Sequence, residues 1–429
     1  MSLKNALAGA AGASVLSALL QLVNGVLIAR MLGPEGRGLY GELAFWAMTV
    51  NGLTNFAIFD AALIRLRDPA CSNLIERGSL FMLTGLITLL NITALCVLMG
   101  IAVFGYLDTD PSFLVEYIVY GVTVNIILML GAIERSKLEF RSLSFERILT
   151  PASYTILLAI FWMVEITARQ AFILLILANA PVLALRIFRN YQHLVFAVSL
   201  ESIRVTIQIA VRFFSVAGFL VIINQIDKAI VLTNFDKATA GQYFVAFSLA
   251  GAGYGIVSTG LQMVMLPAML GVPPRVRRHQ LERAGRLSLV VSLAALAVIA
   301  AAGAPIINYA FGTEYDDAQR YAIWVGVALF LMPLISLMEA ANMALVRNWA
   351  AIELHMTTIV CLIFAWFIGF ISSIEHMCVV YAAGRFLSIG TGMRHLVRYP
   401  LNVRLVKFLF LQRTDFTALI AMLPLRYRG

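Results

Sequence analysis

The stretch "NGVLIARMLGPEGRGLYGELAF", Asn24–Phe45, decides how this chain is read. One apolar run ends in Arg30, turns through Gly33 and Pro34, and resumes as a second apolar run at Tyr40. Gly33, Gly36 and Gly38 together with Pro34 permit the backbone reversal that so short a connection needs. Arg30 sits one turn inside the end of its hydrophobic segment, and an ionisable side chain at membrane depth is a functional candidate. The stretch predicts a helical hairpin that opens a membrane-embedded bundle. It also has an echo, because Asn24 and Asp227, Gly38 and Gly241, and Tyr40 and Tyr243 each stand 203 residues apart.

Composition agrees with the hairpin. With 61% hydrophobic residues, 13% charged residues and a mean hydropathy of +0.88, the chain cannot keep its apolar surface out of water as a soluble domain. The first apolar run follows a lone Lys4 and is interrupted by Ser, Gln and Asn, unlike a signal peptide, so it is read as a spanning helix. Cys71, Cys96, Cys361 and Cys378 are widely separated, which argues against a disulfide framework or a metal site. No nucleophile–base pair, metal-ligand cluster or phosphate loop is present, so no cofactor is expected.

A span needs about 20 mostly apolar residues. Segments that meet this rule fall near 10–32, 38–64, 79–104, 113–133, 148–164, 170–189, 210–235, 242–270, 287–311, 321–346, 350–372 and 377–395. The predicted class is an all-α membrane protein of about twelve transmembrane helices in two six-helix bundles. Residues 1–189 form the first bundle, 190–209 a cytoplasmic amphipathic connection, 210–395 the second bundle and 396–429 a cytoplasmic interfacial tail.

Charge sets the orientation. Arg65, Arg67, Arg77, Arg135, Lys137, Arg141, Arg147, Arg186, Arg189, Arg204, Arg212 and the cluster Arg275–Arg286 fall on one side with Lys4, Arg347 and the basic tail. The opposite connections carry Arg37, Arg169, Lys237 and Arg320. The positive-inside rule makes both termini cytoplasmic. The net charge of +9 then records topology and contact with anionic membrane lipids, not nucleic acid. Two halves that begin on the same side would be parallel repeats about an axis along the membrane normal, with a site between them near mid-depth.

Three cations fall within predicted spans. Lys228 lies about 10 Å below the outer end of the seventh helix, too deep for easy snorkelling. Its neighbour Asp227 points about 100° away, so one of the two needs a partner on another helix. Arg385 occupies the middle of the last predicted helix, and Arg30 closes the first. Each has a structural reading, as an ion pair or an interface residue, beside a functional one as an anion ligand. Asp60, Glu339 and Glu353 lie toward cytoplasmic helix ends and, with Asp227, are candidates for coupling or gating. Glu42 and Glu116 lie toward outer ends. His355 is a titratable candidate beside Glu353. Trp46, Tyr243, Tyr254 and Tyr381 are either packing residues or platforms on which sugars stack.

The hairpin "ARMLGPEGRGLYGELAF" (Ala29–Phe45), the run Gln225-Ile226-Asp227-Lys228 and the following Gly241-Gln242-Tyr243 resemble the polysaccharide and O-antigen flippase family. That family lies within the multidrug, oligosaccharidyl-lipid and polysaccharide exporter superfamily. The resemblance implies alternating access around a cationic cavity in a multi-pass protein of the bacterial inner membrane. It also implies an undecaprenyl-pyrophosphate-linked glycan as cargo, an O-antigen, lipopolysaccharide or exopolysaccharide repeat unit, with polysaccharide-assembly proteins as further partners. Arg30, Lys228 and Arg385 are then expected to replace the water around the pyrophosphate. A cation-coupled small-molecule exporter of the same superfamily is the alternative. A membrane glycan polymerase or ligase is disfavoured, because the longest outer connection, Gly312–Arg320, is too short to hold glycan and catalytic groups, and no enzyme activity is expected.

Overall fold

A computed structural model describes residues 3–68, 73–105, 109–137, 140–191, 197–269, 274–344, 348–397 and 403. Most of the described residues are helical, with no strand among them. The helices are α1 Leu3–Thr54, α2 Ile58–Arg67, α3 Asn73–Val103, α4 Leu114–Ser136, α5 Phe140–Ile160, α6 Ala168–Ala178 and α7 Ala180–Asn190. They continue with α8 Leu200–Asn234, α9 Lys237–Met269, α10 Pro274–Ile306, α11 Asp316–Leu329, α12 Met332–Ala344, α13 Asn348–Phe367 and α14 Ile374–Val397. Seven stretches of these are long and apolar enough to cross a membrane. Their exposed faces are apolar too: α3 leaves Leu86, Leu89, Leu90 and Val97 uncovered, as a bilayer allows and water does not. The tail beyond 397, assigned above to the membrane surface, lies outside the described residues apart from Val403.

The opening hairpin is tighter than its sequence suggests. The break in α1 is one residue, Gly33, with φ 64° and ψ 178°, a conformation open to glycine at little cost. Pro34 follows at once as the first residue of the next helical segment, where its missing N–H is no loss. The second helix thus starts at Pro34 and not at Tyr40. Gly36 and Gly38, expected to shape the turn, are helical.

A second break has no such signal. Phe56 and Ala57 take φ values of 50° and 55°, separating α1 from α2 inside one apolar run. Left-handed conformations at non-glycine residues cost about 1 kcal/mol or more each. Packing holds them: the Phe56 ring lies 4.4 Å from that of Phe214, and Ile58, Phe59, Ala61 and Ala62 are buried in a cluster with Leu80, Leu83, Met129 and Leu130. Beside the break the Asn51 side chain donates to Asn125 at 3.0 Å, and Asn91 donates to Thr54 at 3.1 Å. Helix α8 begins at Leu200, ten residues before the predicted start, because Ser199 caps it by accepting from the Ser202 N–H.

The chain divides into two compact units. The first comprises Met1–Ser248 and Pro305–Tyr321, the second Leu249–Ala304 and Ala322–Gly429. Within the first unit the sequence echo has a structural counterpart. A Cβ at Gly38 would overlap the carbonyl of Lys237, and a Cβ at Gly241 would overlap the carbonyl of Pro34. Subtracting the same 203 residues turns Gly241 into Gly38 and Lys237 into Pro34, so the two contacts are images of one another. A Cβ at Gly41 would meet Phe244, the residue 203 positions on. This reciprocity, in which residue i meets j and the equivalent of j meets the equivalent of i, is the mark of a local two-fold relation. The starts of the second part of α1 and of α9 therefore pack backbone to backbone.

Candidate functional site

In the first unit, three of the residues singled out by sequence come together. Asp227 is 1% exposed and accepts a hydrogen bond from the Tyr243 hydroxyl at 2.5 Å. That is the partner on another helix that the 100° rule demanded. Lys228 departs from the rule, because its flexible stem curls back. Its Nζ reaches the Asn224 carbonyl, stands 3.6 Å from Asp227 Oδ1 and lies 4.5 Å from the Phe247 ring centre. The carboxylate, the ammonium and two rings form one cluster, in which Asp227 Oδ2 takes the tyrosine hydroxyl and Oδ1 has the ammonium charge but no hydrogen bond. Tyr243, 2% exposed, spends its hydroxyl on Asp227 and offers no open face to a sugar in this arrangement.

Arg30 caps a helix end. It donates from Nε to the Ala310 carbonyl at 2.6 Å and from a terminal nitrogen to the Tyr309 carbonyl, the last carbonyls after α10. A cation is favourable at a helix C-terminus. Asp60, in the first turn of α2, is exposed and forms a 3.3 Å surface pair with Arg135. Trp46 is half-buried against Phe45, with ring centres 4.8 Å apart. Glu42 and Glu116, set at outer helix ends by the sequence, are both buried and pair with Lys237 at 2.8 Å and Arg169 at 2.5 Å.

In the second unit Arg385 is 4% exposed. Its guanidinium donates to the Tyr381 hydroxyl at 2.6 Å and lies 4.6 Å from the centre of the same ring, while Nε has no acceptor. No carboxylate pairs with it among the described residues. Glu339 is buried 3.6 Å from His355 Nε2, whereas Glu353 is partly exposed and reaches His395 at 2.7 Å. The sequence had set His355 beside Glu353, but the fold hands it to Glu339. Tyr254 is fully buried with its hydroxyl 3.4 Å from the Ser292 carbonyl, so in this arrangement it is packed and presents no open face.

Sequence reasoning missed Arg37. Placed on an outer connection because the helix was expected to start at Tyr40, it is 8% exposed inside the first turn after Pro34. Its guanidinium lies 5.4 Å from the Tyr40 ring centre and 5.7 Å from that of Phe244. Reading Pro34 as a first helical residue would have found it, since Arg37, Tyr40 and Gly41 then share a face.

Comparison with solved structures gives the fold a setting. The chain is similar to the lipid II flippase MurJ in an inward closed conformation, with a TM-score of 0.72, 13% identity, and coverage of 95% of this chain and 91% of that one. It is similar to the MATE multidrug transporter DinF-BH, with a TM-score of 0.68, 14% identity, and coverage of 95% and 96%. An inward-facing MATE family multidrug resistance transporter of the MOP superfamily matches at a TM-score of 0.66 and 14% identity, covering 89% and 94%. Among curated proteins nothing matches. A family model described as "Polysaccharide biosynthesis protein" matches residues 2–271, well over half the chain, and with its helical membrane fold this protein belongs to that family.

Proposed function

We propose that the protein is a flippase carrying undecaprenyl-pyrophosphate-linked oligosaccharide from the cytoplasmic to the periplasmic leaflet of a bacterial inner membrane by alternating access. The helices then supply twelve spans with both termini cytoplasmic: α1 two of them, the second continued in α2, with α6–α7 and α11–α12 each forming one broken span. The ion pairs support this sidedness. Glu42–Lys237 and Glu116–Arg169 join residues placed outside, while Asp60–Arg135, Glu76–Arg65 and Glu146–Arg189 join residues placed inside.

The observation that carries the reading is Arg385. A guanidinium at membrane depth with a neutral tyrosine as partner and a free Nε is an anion ligand in waiting, and a fork of donors suits phosphate oxygens. A pyrophosphate cannot cross hydrocarbon without such a substitute for water. Lys228 and Arg30 have weaker claims, because backbone carbonyls already occupy them. Membership in a polysaccharide biosynthesis family supports a glycan cargo, and likeness to a lipid II flippase supports a lipid-linked one.

The test is flipping of a fluorescent polyprenyl-pyrophosphate oligosaccharide in proteoliposomes. Arg385→Ala should abolish it, and Asp316→Asn, at an exposed outer position, should leave it unchanged. Full flipping by Arg385→Ala would end the proposal. Likeness to MATE transporters favours a second reading, cation-coupled export of small molecules. Drug efflux that persists in cells lacking any polyprenyl-linked glycan would select it.

A further inference from the structure

Several buried or half-buried cations of the first unit have acids. Lys237 has Glu42 at 2.8 Å, Arg65 has Glu76 at 2.6 Å, and Arg186 has Glu146 at 2.7 Å. Among the described residues Arg37 has none. Its one hydrogen bond is a long one, from Nη2 to the Ser248 hydroxyl at 3.4 Å, and that hydroxyl is itself committed to the Phe244 carbonyl at 2.7 Å. Its Nε is buried without an acceptor. The titratable groups near enough to act on it are the phenols of Tyr40, Tyr154 and Tyr315, and no carboxylate is among them. Tyr154 and Tyr40 are occupied with each other at 3.2 Å, and Tyr315 donates to the Ala29 carbonyl at 2.9 Å. Glu42, five residues along the same helix, is taken by Lys237. A buried guanidinium left unpaired in this way is strongly unfavourable unless an anion visits it.

What hides Arg37 is the backbone contact described above. The Gly38–Lys237 and Gly41–Phe244 approaches close over the first helical turn, and Phe244 lies against the guanidinium. Separating the two helix starts uncovers the guanidinium together with the free N–H groups of that turn, which also attract anions. We infer that Arg37 is a second pyrophosphate ligand, one that binds the cargo's head group at the outer mouth after the starts of the two helices have parted. It rests on the flippase reading, and adds to it a release-side station distinct from Arg385. Ring faces of Tyr40 and Phe244 beside a phosphate fork suit a head group that joins phosphate to a sugar or an isoprenoid.

The experiment measures binding of farnesyl pyrophosphate, inorganic pyrophosphate and farnesol to the full chain in lipid nanodiscs, using wild type, Arg37→Gln, Arg37→Lys and Arg385→Ala. Arg37→Gln should weaken farnesyl pyrophosphate roughly tenfold or more, as expected for losing a charge-assisted hydrogen bond. Arg37→Lys, which keeps the charge and loses the fork, should fall between, and carries the test if Arg37→Gln does not fold. Wild-type affinity in both variants overturns the proposal, and if Arg385→Ala still loses binding the flippase reading survives it. A loss confined to inorganic pyrophosphate makes Arg37 a site for free anions and overturns the lipid assignment. Wild-type protein that binds farnesol as tightly as farnesyl pyrophosphate defeats the flippase reading itself.

Discussion

Gly38→Ala places a methyl group where the Lys237 carbonyl now is, well inside the 3.0 Å that real Cβ contacts respect. The obstacle is backbone and not the end of a flexible side chain, so relief requires the two helix starts to move apart. Overpacking of this kind costs about 1–3 kcal/mol, and the cost falls only on the state in which these helices touch. A differential of that size shifts a two-state equilibrium by roughly 5- to 150-fold toward the parted state. Gly241→Ala meets the Pro34 carbonyl in the equivalent contact and should act in the same direction. Spin labels at Glu35→Cys and Ala238→Cys, both exposed in the structure, report the separation by pulsed electron resonance in a background without native cysteines. The expected result is a longer mean distance in each glycine variant, with protein that remains folded and membrane-inserted. Unchanged distance distributions, or shifts of opposite sign in the two variants, would refute both the close packing and the local two-fold relation behind it.

Further outcomes follow from the same geometry. Tyr243→Phe removes the hydroxyl that satisfies Asp227 and should lower stability by about 1–3 kcal/mol, read as a drop in the unfolding midpoint in detergent. Arg186 bridges Glu146 at 2.7 Å and Glu134 at 3.6 Å in the first unit, so Arg186→Ala leaves buried Glu134 with the Asn190 amide and Glu146 with Arg189, and should cost about 3–5 kcal/mol. Arg186→Ala with Glu134→Gln should recover part of that loss in the same assay. Asp236 caps α9 by accepting from the Thr239 N–H at 2.7 Å, and this hydrogen bond holds its carboxyl below the usual aspartate value of 3.8. A depressed folded value means the cap stabilises above about pH 4 and is lost as pH falls through the folded value. Asp236→Ala should therefore lower the thermal midpoint at pH 7, and by progressively less as the pH falls below the usual aspartate value.

What the sequence made legible depends on whether a residue's role is local. Gly33 and Pro34 act through their own backbone, so the opening hairpin could be read from two letters. The break at Phe56 and Ala57 could not. No glycine or proline marks it, and the left-handed turn is stabilised by a ring from α8 and by amides from α3 and α4, partners that only the fold supplies. The same distinction sorts the charged residues. Arg385 was legible because a lone arginine in a long apolar helix must turn inward. Which acids pair with which bases was not: Glu42 with Lys237, Glu116 with Arg169 and Glu339 with His355 all span separate helices.

The pairing pattern also separates cations that hold the fold from cations free to bind. Counting intramembrane charge put Lys228 first, with Arg385 beside it and Arg30 behind. Partner by partner they differ, since Lys228 is balanced by Asp227 and a carbonyl, Arg30 is spent on a helix end, and Arg385 keeps an unsatisfied nitrogen. Arg37 joins Arg385 by the same criterion despite being assigned to a loop. If desolvated charge without a counter-charge is retained only where an anion arrives to balance it, Arg37 and Arg385 should both depend on pyrophosphate for stability. Added farnesyl pyrophosphate should then raise the unfolding midpoint of wild type but raise it less in Arg37→Gln or Arg385→Gln. A double variant that is more stable than wild type without ligand, and unresponsive to it, would show that the two guanidiniums carry a stability cost for the sake of binding. A double variant still stabilised as much as wild type would place the anion elsewhere.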